Sequence, residues 1–412
     1  MRIRRWLPML VLALPACAGV GPDSGIRAMA GQDLLLGSDR EVVSLDAGSG
    51  AVRFQGAGVP ALGTWSSVFT TTFSGGVSVL EARDPITGET LSIVEVPGRL
   101  DVRVASPDGD LVALMEPLPE GASPWIPEPR ATTRVVIAAP ANAGELREFE
   151  LEGNFEPEAF SSDGRGLYMI SYLPPDAPDA YRVARLDLSN GRVSLVSTGI
   201  KGVVETMSGT RLEQVTGPDG TMLYTLYSTA PAAYTHAHHV GETVSFVHML
   251  SLDDNWAHCL ALPKAMWGGD AADQAMAVSK DGALLYAVDT EQGLIAEIDT
   301  RRLEILRTAP VDFGAASDSP TQAAVTDDRR LLVSVGSRIV SIDVASLERA
   351  GELATRAPVL ALGSDGSRVY VAMPGEVEVL DARSDGSLGT IPSPELTDIS
   401  YVGLAGEVSL DS

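Results

Sequence analysis

Cysteine is nearly absent, with two in 412 residues. That excludes a disulfide scaffold, and it excludes any zinc site built from four cysteines or from a zinc-finger pairing of cysteines with histidines. Cations are scarce: 30 Lys and Arg face 55 Asp and Glu, for a net charge of −25 and a pI near 4.5. A chain so acidic is no phosphate-backbone binder, because nucleic-acid affinity needs clustered cations. No apolar run is long enough to be a transmembrane helix. The usual catalytic signatures are missing too. There is no Gly-x-Ser-x-Gly elbow, no His-Glu-x-x-His, no P-loop and no Gly-x-Gly-x-x-Gly. What remains is a 45% apolar chain, rich enough to bury a large core. Its length fits two or three ordinary domains, or one large all-β or repeat domain.

The first residues read as an export signal. Arg2, Arg4 and Arg5 form a positive segment, and Leu7 to Leu14 is a short apolar stretch. Leu14-Pro15-Ala16-Cys17 then resembles a bacterial lipobox. The resemblance implies cleavage after residue 16 and lipidation of Cys17. The expected organisation is a signal peptide over 1–16, a lipid-anchored tether over 17–25 and a folded unit over 26–412. The expected location is extracytoplasmic, anchored to a bacterial membrane by the lipid alone, with secretion as the alternative.

An Asp-Gly turn recurs through the rest of the chain. It appears as Ser106-Pro107-Asp108-Gly109, Ser161-Ser162-Asp163-Gly164, Gly217-Pro218-Asp219-Gly220, Ser279-Lys280-Asp281-Gly282 and Ser364-Asp365-Gly366. Short apolar stretches flank each turn, as Leu285-Tyr286-Ala287-Val288 and Val369-Tyr370-Val371-Ala372 do. Asp bonds nearby backbone and Gly accepts positive φ, so each copy predicts a hairpin. A second turn follows at Asp46, Asp187, Asp299, Asp343 and Asp381, each after Leu or Ile. The unit is therefore strand a, Asp-Gly turn, strand b, loop, strand c, Leu-Asp turn, strand d.

About eight units result: 26–58, 62–98, 100–154, 155–200, 204–267, 269–312, 321–355 and 356–393. The tail from Leu396 holds a further strand-like stretch at Ile399 to Gly403, placed to close a ring. This pattern resembles the bacterial YVTN/WD40-like β-propeller repeat proteins of the cell envelope. The resemblance implies an all-β propeller of four-stranded blades, about eight in number, with seven as the alternative. It implies no particular activity.

Strand alternation puts the a–b and c–d turns on one face and the b–c loops on the other. Units 3, 4 and 5 carry long b–c loops, expected at 117–131, 172–181 and 228–243. They bring Trp125, Tyr172, Tyr181, Tyr234, His236, His238 and His239 to one face, a candidate partner surface. All five histidines lie between 236 and 258. His248 and His258 read as packed strand residues, and Cys259 reads as a buried, inert thiol. No metal and no cofactor is assigned. Asp108, Asp163, Asp219 and Asp281 read as turn formers. Strand a looks small and apolar at Ala275 to Val278, Ala323 to Val325 and Val359 to Leu362. An enzyme would need charged groups converging there. The expectation is therefore a binding or scaffold module for an envelope protein or small ligand. The alternative is a propeller enzyme, a lactonase-like hydrolase or a cofactor-dependent dehydrogenase.

Overall fold

The structure is a computed structural model and describes residues 33–37, 41–56, 58–61, 67–119, 128–141, 144–199, 202–229, 244–267, 270–327, 329–394 and 401–404. Eight sheets follow one another along the chain, seven of four antiparallel strands and one, in blade 5, with a fifth short strand, Ser197–Thr198, parallel to its outer strand Trp256–Ala261. In seven of them strands a to d run in sequence order. The eighth closes the ring: Tyr401–Leu404 pairs antiparallel with Asp33–Gly37 and becomes the innermost strand of blade 1. Blade 1 thus takes strand a from the C-terminal end and strands b to d from residues 33–56. The expected closing strand is there, and the ring has eight blades. The signal segment and Cys17 lie outside the described residues.

Inner strands of neighbouring blades touch around a central channel. Between the blades lie eight apolar seams. Val333, Val340 and Ile342 pack against Tyr286, Val288 and Ile295 between blades 6 and 7. Leu34, Leu36 and Val43 pack against Tyr370, Val377 and Val379 between blades 8 and 1. A single blade has an apolar surface on each face and buries neither alone. Stacking around a closed ring buries both, at about 1.5–3 kcal/mol per large aliphatic side chain. The seam between blades 1 and 2 is the thinnest among the described residues, with Leu35, Val42, Phe54 and Val68.

The repeat chemistry is visible at each turn. Ser106 Oγ donates to Asp108 Oδ1, and the Asp110 N–H donates to the same oxygen. Ser161 with Asp163 and Ser279 with Asp281 repeat the motif. The Leu-Asp turns work alike: Asp381 Oδ1 accepts the N–H groups of Arg383 and Ser384. Such hydrogen bonds hold the carboxyls of Asp46, Asp187, Asp299, Asp343 and Asp381 below the usual range. These aspartates are structural. Tyr168, Tyr224, Tyr286 and Tyr370 occupy equivalent buried places on strand b of blades 4, 5, 6 and 8. Tyr370 donates its hydroxyl to Asp365 Oδ2 of the turn at 2.6 Å. Gly366, at φ +89, lies against Asp327 of the blade before, where a Cβ would collide with the carboxylate.

Candidate functional site at the mouth of the central channel

Blades 3, 4 and 5 depart from the repeat in two ways that coincide. Their b–c connections are long, running from 116 to 131, 174 to 179 and 229 to 244. Their inner strands also carry a bulge where they pair with strand b, at Arg103, Glu158 and Leu212. No other inner strand among the described residues shows one. A bulge adds a residue and re-aims side chains, and bulges concentrate near functional sites.

The bulged strands carry charge. Asp101–Ala105 supplies Arg103, Asn154–Phe160 supplies Asn154, Glu156 and Glu158, and Thr210–Thr216 supplies Arg211, Glu213 and Gln214. Strand a starts at the b–c face, so Arg103, Asn154 and Glu156 stand near the channel mouth under the long loops. Glu156, 1% exposed, is the hub. Arg103 Nε lies 2.8 Å from Glu156 Oε1, and Arg130 Nη2 donates to Glu156 Oε2 at 2.9 Å. Arg103 Nη2 donates to the Glu116 carbonyl. Arg130 Nε donates to Asn154 Oδ1 at 3.0 Å. Asn154 Nδ2 in turn donates to the Glu128 carbonyl at 2.8 Å. The Arg130 N–H reaches the Pro175 carbonyl at 3.0 Å. The connections of blades 3 and 4 are thereby tied to each other and to two inner strands.

Deeper along the same strands lie two carboxyls of unusual acidity. Glu158 Oε1 accepts from Gln214 Nε2 at 2.9 Å, joining blades 4 and 5. Its Oε2 is buried with no hydrogen-bond partner. Burial pushes this carboxyl up to about 7, with Arg211 and Gln214 pulling the other way. Glu213 accepts the Met276 N–H of blade 6. It keeps some solvent contact, yet protein surrounds it closely. That desolvation pushes it up to about 8, against Met276 and Arg211.

The candidate surface residues divide. Trp125, Tyr234, His236, His238 and His239 lie outside the described residues. Tyr172 and Tyr181 are not surface groups. The strands run on to Leu173 and restart at Ala180, so both tyrosines pair in the ladder. They are 4% and 5% exposed, with ring centroids 6.2 Å apart. Tyr181 then packs 5.3 Å from Tyr227. The reason is length: only 174–179 leaves the sheet, so the loop ends belong to the seam between blades 4 and 5. His248 is 2% exposed beside Tyr227, and burial pushes its imidazole down to about 4. Burial pushes the Cys259 thiol up, and Met207 Sδ lies 3.4 Å from its Sγ. Among the described residues no group of three His, Cys, Asp or Glu is placed to hold a metal.

The charged inner strands are the feature that the sequence reading missed. Strand a is indeed small and apolar in blades 6, 7 and 8, and blades 3 to 5 break that rule. The signal was present in Glu156-Pro157-Glu158 and Arg211-Leu212-Glu213-Gln214, each two residues ahead of an Asp-Gly hairpin turn.

No family model and no curated protein matches the chain. Among solved structures, it is similar to apo AztD from Citrobacter koseri. That match has a TM-score of 0.56 and 13% identity, over 92% of this chain and 99% of that one. A second structure of the Citrobacter koseri protein gives the same TM-score at 14% identity and the same coverage. The dihydro-heme d1 dehydrogenase NirN in complex with DHE matches at a TM-score of 0.53 and 15% identity, over 92% of this chain and 76% of that one. At such identities the likeness speaks to fold alone, and with the eight closed sheets it identifies the chain as an eight-bladed β-propeller.

Proposed function

We propose that the chain is a binding module of the cell envelope, anchored through a lipid on Cys17, whose ligand or partner sits on the b–c face of blades 3 to 5. One observation carries the reading. The three blades with long connections are the same three whose inner strands are bulged and charged, and Arg130 and Asn154 tie the two features together. Long loops held by a rigid scaffold are a common way to build a recognition surface. The leader and the lipobox-like Leu14 to Cys17 support the envelope location. The acidity of the chain speaks against nucleic acid as a partner.

The test is site-specific photocrosslinking in cells. A photoreactive residue at Glu128 or Asp176, on the b–c face, should give adducts. The same residue at Asp219 or Asp281, on the opposite face, should give none. Adducts only from the second pair would overturn the assignment of faces.

A second reading has its own support. Burial pushes Glu158 up to about 7 and Glu213 up to about 8 on inner strands, a range suited to proton transfer. This keeps the propeller enzyme as the alternative. Turnover of a substrate that Glu158→Gln or Glu213→Gln abolishes, with binding retained, would favour it.

A further inference from the structure

We propose that Arg103 and Arg130, held apart by Glu156 at the channel mouth, form a binding site for an oxyanion, a carboxylate or phosphate group on a small ligand. The inference rests on the binding-module reading and names the chemistry of its ligand.

The geometry is that of a preset pair of guanidinium groups. One buried carboxylate faces both arginines, with an ion pair at 2.8 Å to Arg103, in which Arg103 Nε and Glu156 Oε1 make no hydrogen bond, and a hydrogen bond at 2.9 Å from Arg130, so three charged groups sum to a single positive charge. Each guanidinium has five N–H donors in a fixed plane. Contacts with described residues engage two nitrogens on each. For Arg103 these are Nε toward Glu156 and Nη2 toward the Glu116 carbonyl. For Arg130 they are Nε toward Asn154 and Nη2 toward Glu156. Among the described residues neither Nη1 group takes part in a contact, and the Arg103 side chain is 10% exposed. The Arg130 side chain keeps 25% of its surface exposed. Planar guanidinium forks match carboxylate and phosphate oxygens two at a time.

The surroundings make the site more than a surface arginine. Glu156 and Asn154 are each 1% exposed, so the arms that orient the two guanidiniums are rigid. The fold holds that cost already, and a ligand does not have to order the side chains on arrival. Below the pair, burial pushes Glu158 up to about 7 and Glu213 up to about 8, so both carry less than full opposing charge near neutral pH. The protein as a whole is strongly acidic. Small anions have few other places to bind, and one saturable site is expected rather than a diffuse halo.

The test is isothermal titration of the full chain with inorganic phosphate and, separately, with succinate. One site per chain is expected for at least one of them, and the stronger of the two identifies the ligand group. Arg130→Gln should weaken that binding roughly 10- to 100-fold, the worth of a charge-assisted hydrogen-bond pair. Arg130→Lys, which keeps the charge and loses the fork, should fall between Gln and the wild type. Lys280→Gln, on the opposite face, should change nothing. Circular dichroism and the urea midpoint verify that each variant folds. No binding of either anion, or equal binding by wild type and Arg130→Gln, overturns the proposal. The crosslinking experiment separates the two ideas. Adducts at the mouth without anion binding remove the oxyanion site alone. Anion binding lost in Arg130→Gln, with adducts only on the opposite face, leaves the site standing and removes the partner surface.

Discussion

Arg130 reaches Glu156 across 2.9 Å and so fastens the long connection of blade 3 to the inner strand of blade 4. Both residues stand outside the repeat pattern. Their contact makes two irregular features into one unit, the loop above and the charged channel wall below.

The clamp should be costly to break from its centre. Glu156→Gln leaves two arginines beside a neutral amide, one of them nearly buried. Removing one partner of a buried pair typically costs about 3–5 kcal/mol. Urea unfolding followed by circular dichroism should show a clear drop in midpoint with an unchanged slope. An unchanged midpoint would mean that solvent already screens the cluster.

Stability should fall as pH rises through neutrality. Glu158 and Glu213 are raised above their unfolded values, to about 7 and about 8. Their contribution is whole below the unfolded pKa near 4.5 and is lost as pH rises through the folded values. A shift of this size in Glu158 corresponds to something on the order of 3 kcal/mol. Denaturation at pH 5.5 and pH 8.5 should therefore differ less in Glu158→Gln than in the wild type. A pH slope identical in the two proteins would rule Glu158 out as a source.

The ring should depend on its last strand. Truncation before Tyr401 strips the inner strand from blade 1 and bares an edge beside Leu34 and Leu36. The truncated chain should aggregate and unfold at lower urea. A permuted chain that carries residues 401–412 ahead of residue 33 should recover both properties. Light scattering and urea titration read the outcome, and wild-type behaviour of the truncated chain would show that closure contributes little.

Tyr370→Phe tests the repeat chemistry. It removes the 2.6 Å bond to Asp365 and keeps the buried ring. A loss of roughly 1–2 kcal/mol is expected. Thermal unfolding measures it, and a neutral result would mean that the ring alone carries the position.

Lipidation of Cys17 is the simplest prediction to check. Metabolic labelling with a palmitate analogue should mark the wild type and leave Cys17→Ser unlabelled. Equal labelling of both would place the lipid elsewhere.

Much of the fold was legible in the sequence because turns are local. Asp281 needs only Ser279 and the Ala283 N–H to make its turn, so two near neighbours announce it. The blade count and the closing strand followed from repeating such units. Tyr172 and Tyr181 lie outside the loop that Pro174-Pro175 marks in the sequence, because register decides where a strand stops. The pairing of Tyr172 with Tyr181 across the ladder kept both in the seam. Glu156-Pro157-Glu158 was missed for a related reason. Two acids around a proline look like exposed turn residues, and nothing local says that Arg103, Arg130, Gln214 and Arg211 will surround them. The sequence by itself determined the blades, since each is built by contacts a few residues apart. Only the stacking of successive blades decided the site, because it brings inner strands distant in the chain side by side and turns their charges from solvent-facing groups into one another's partners.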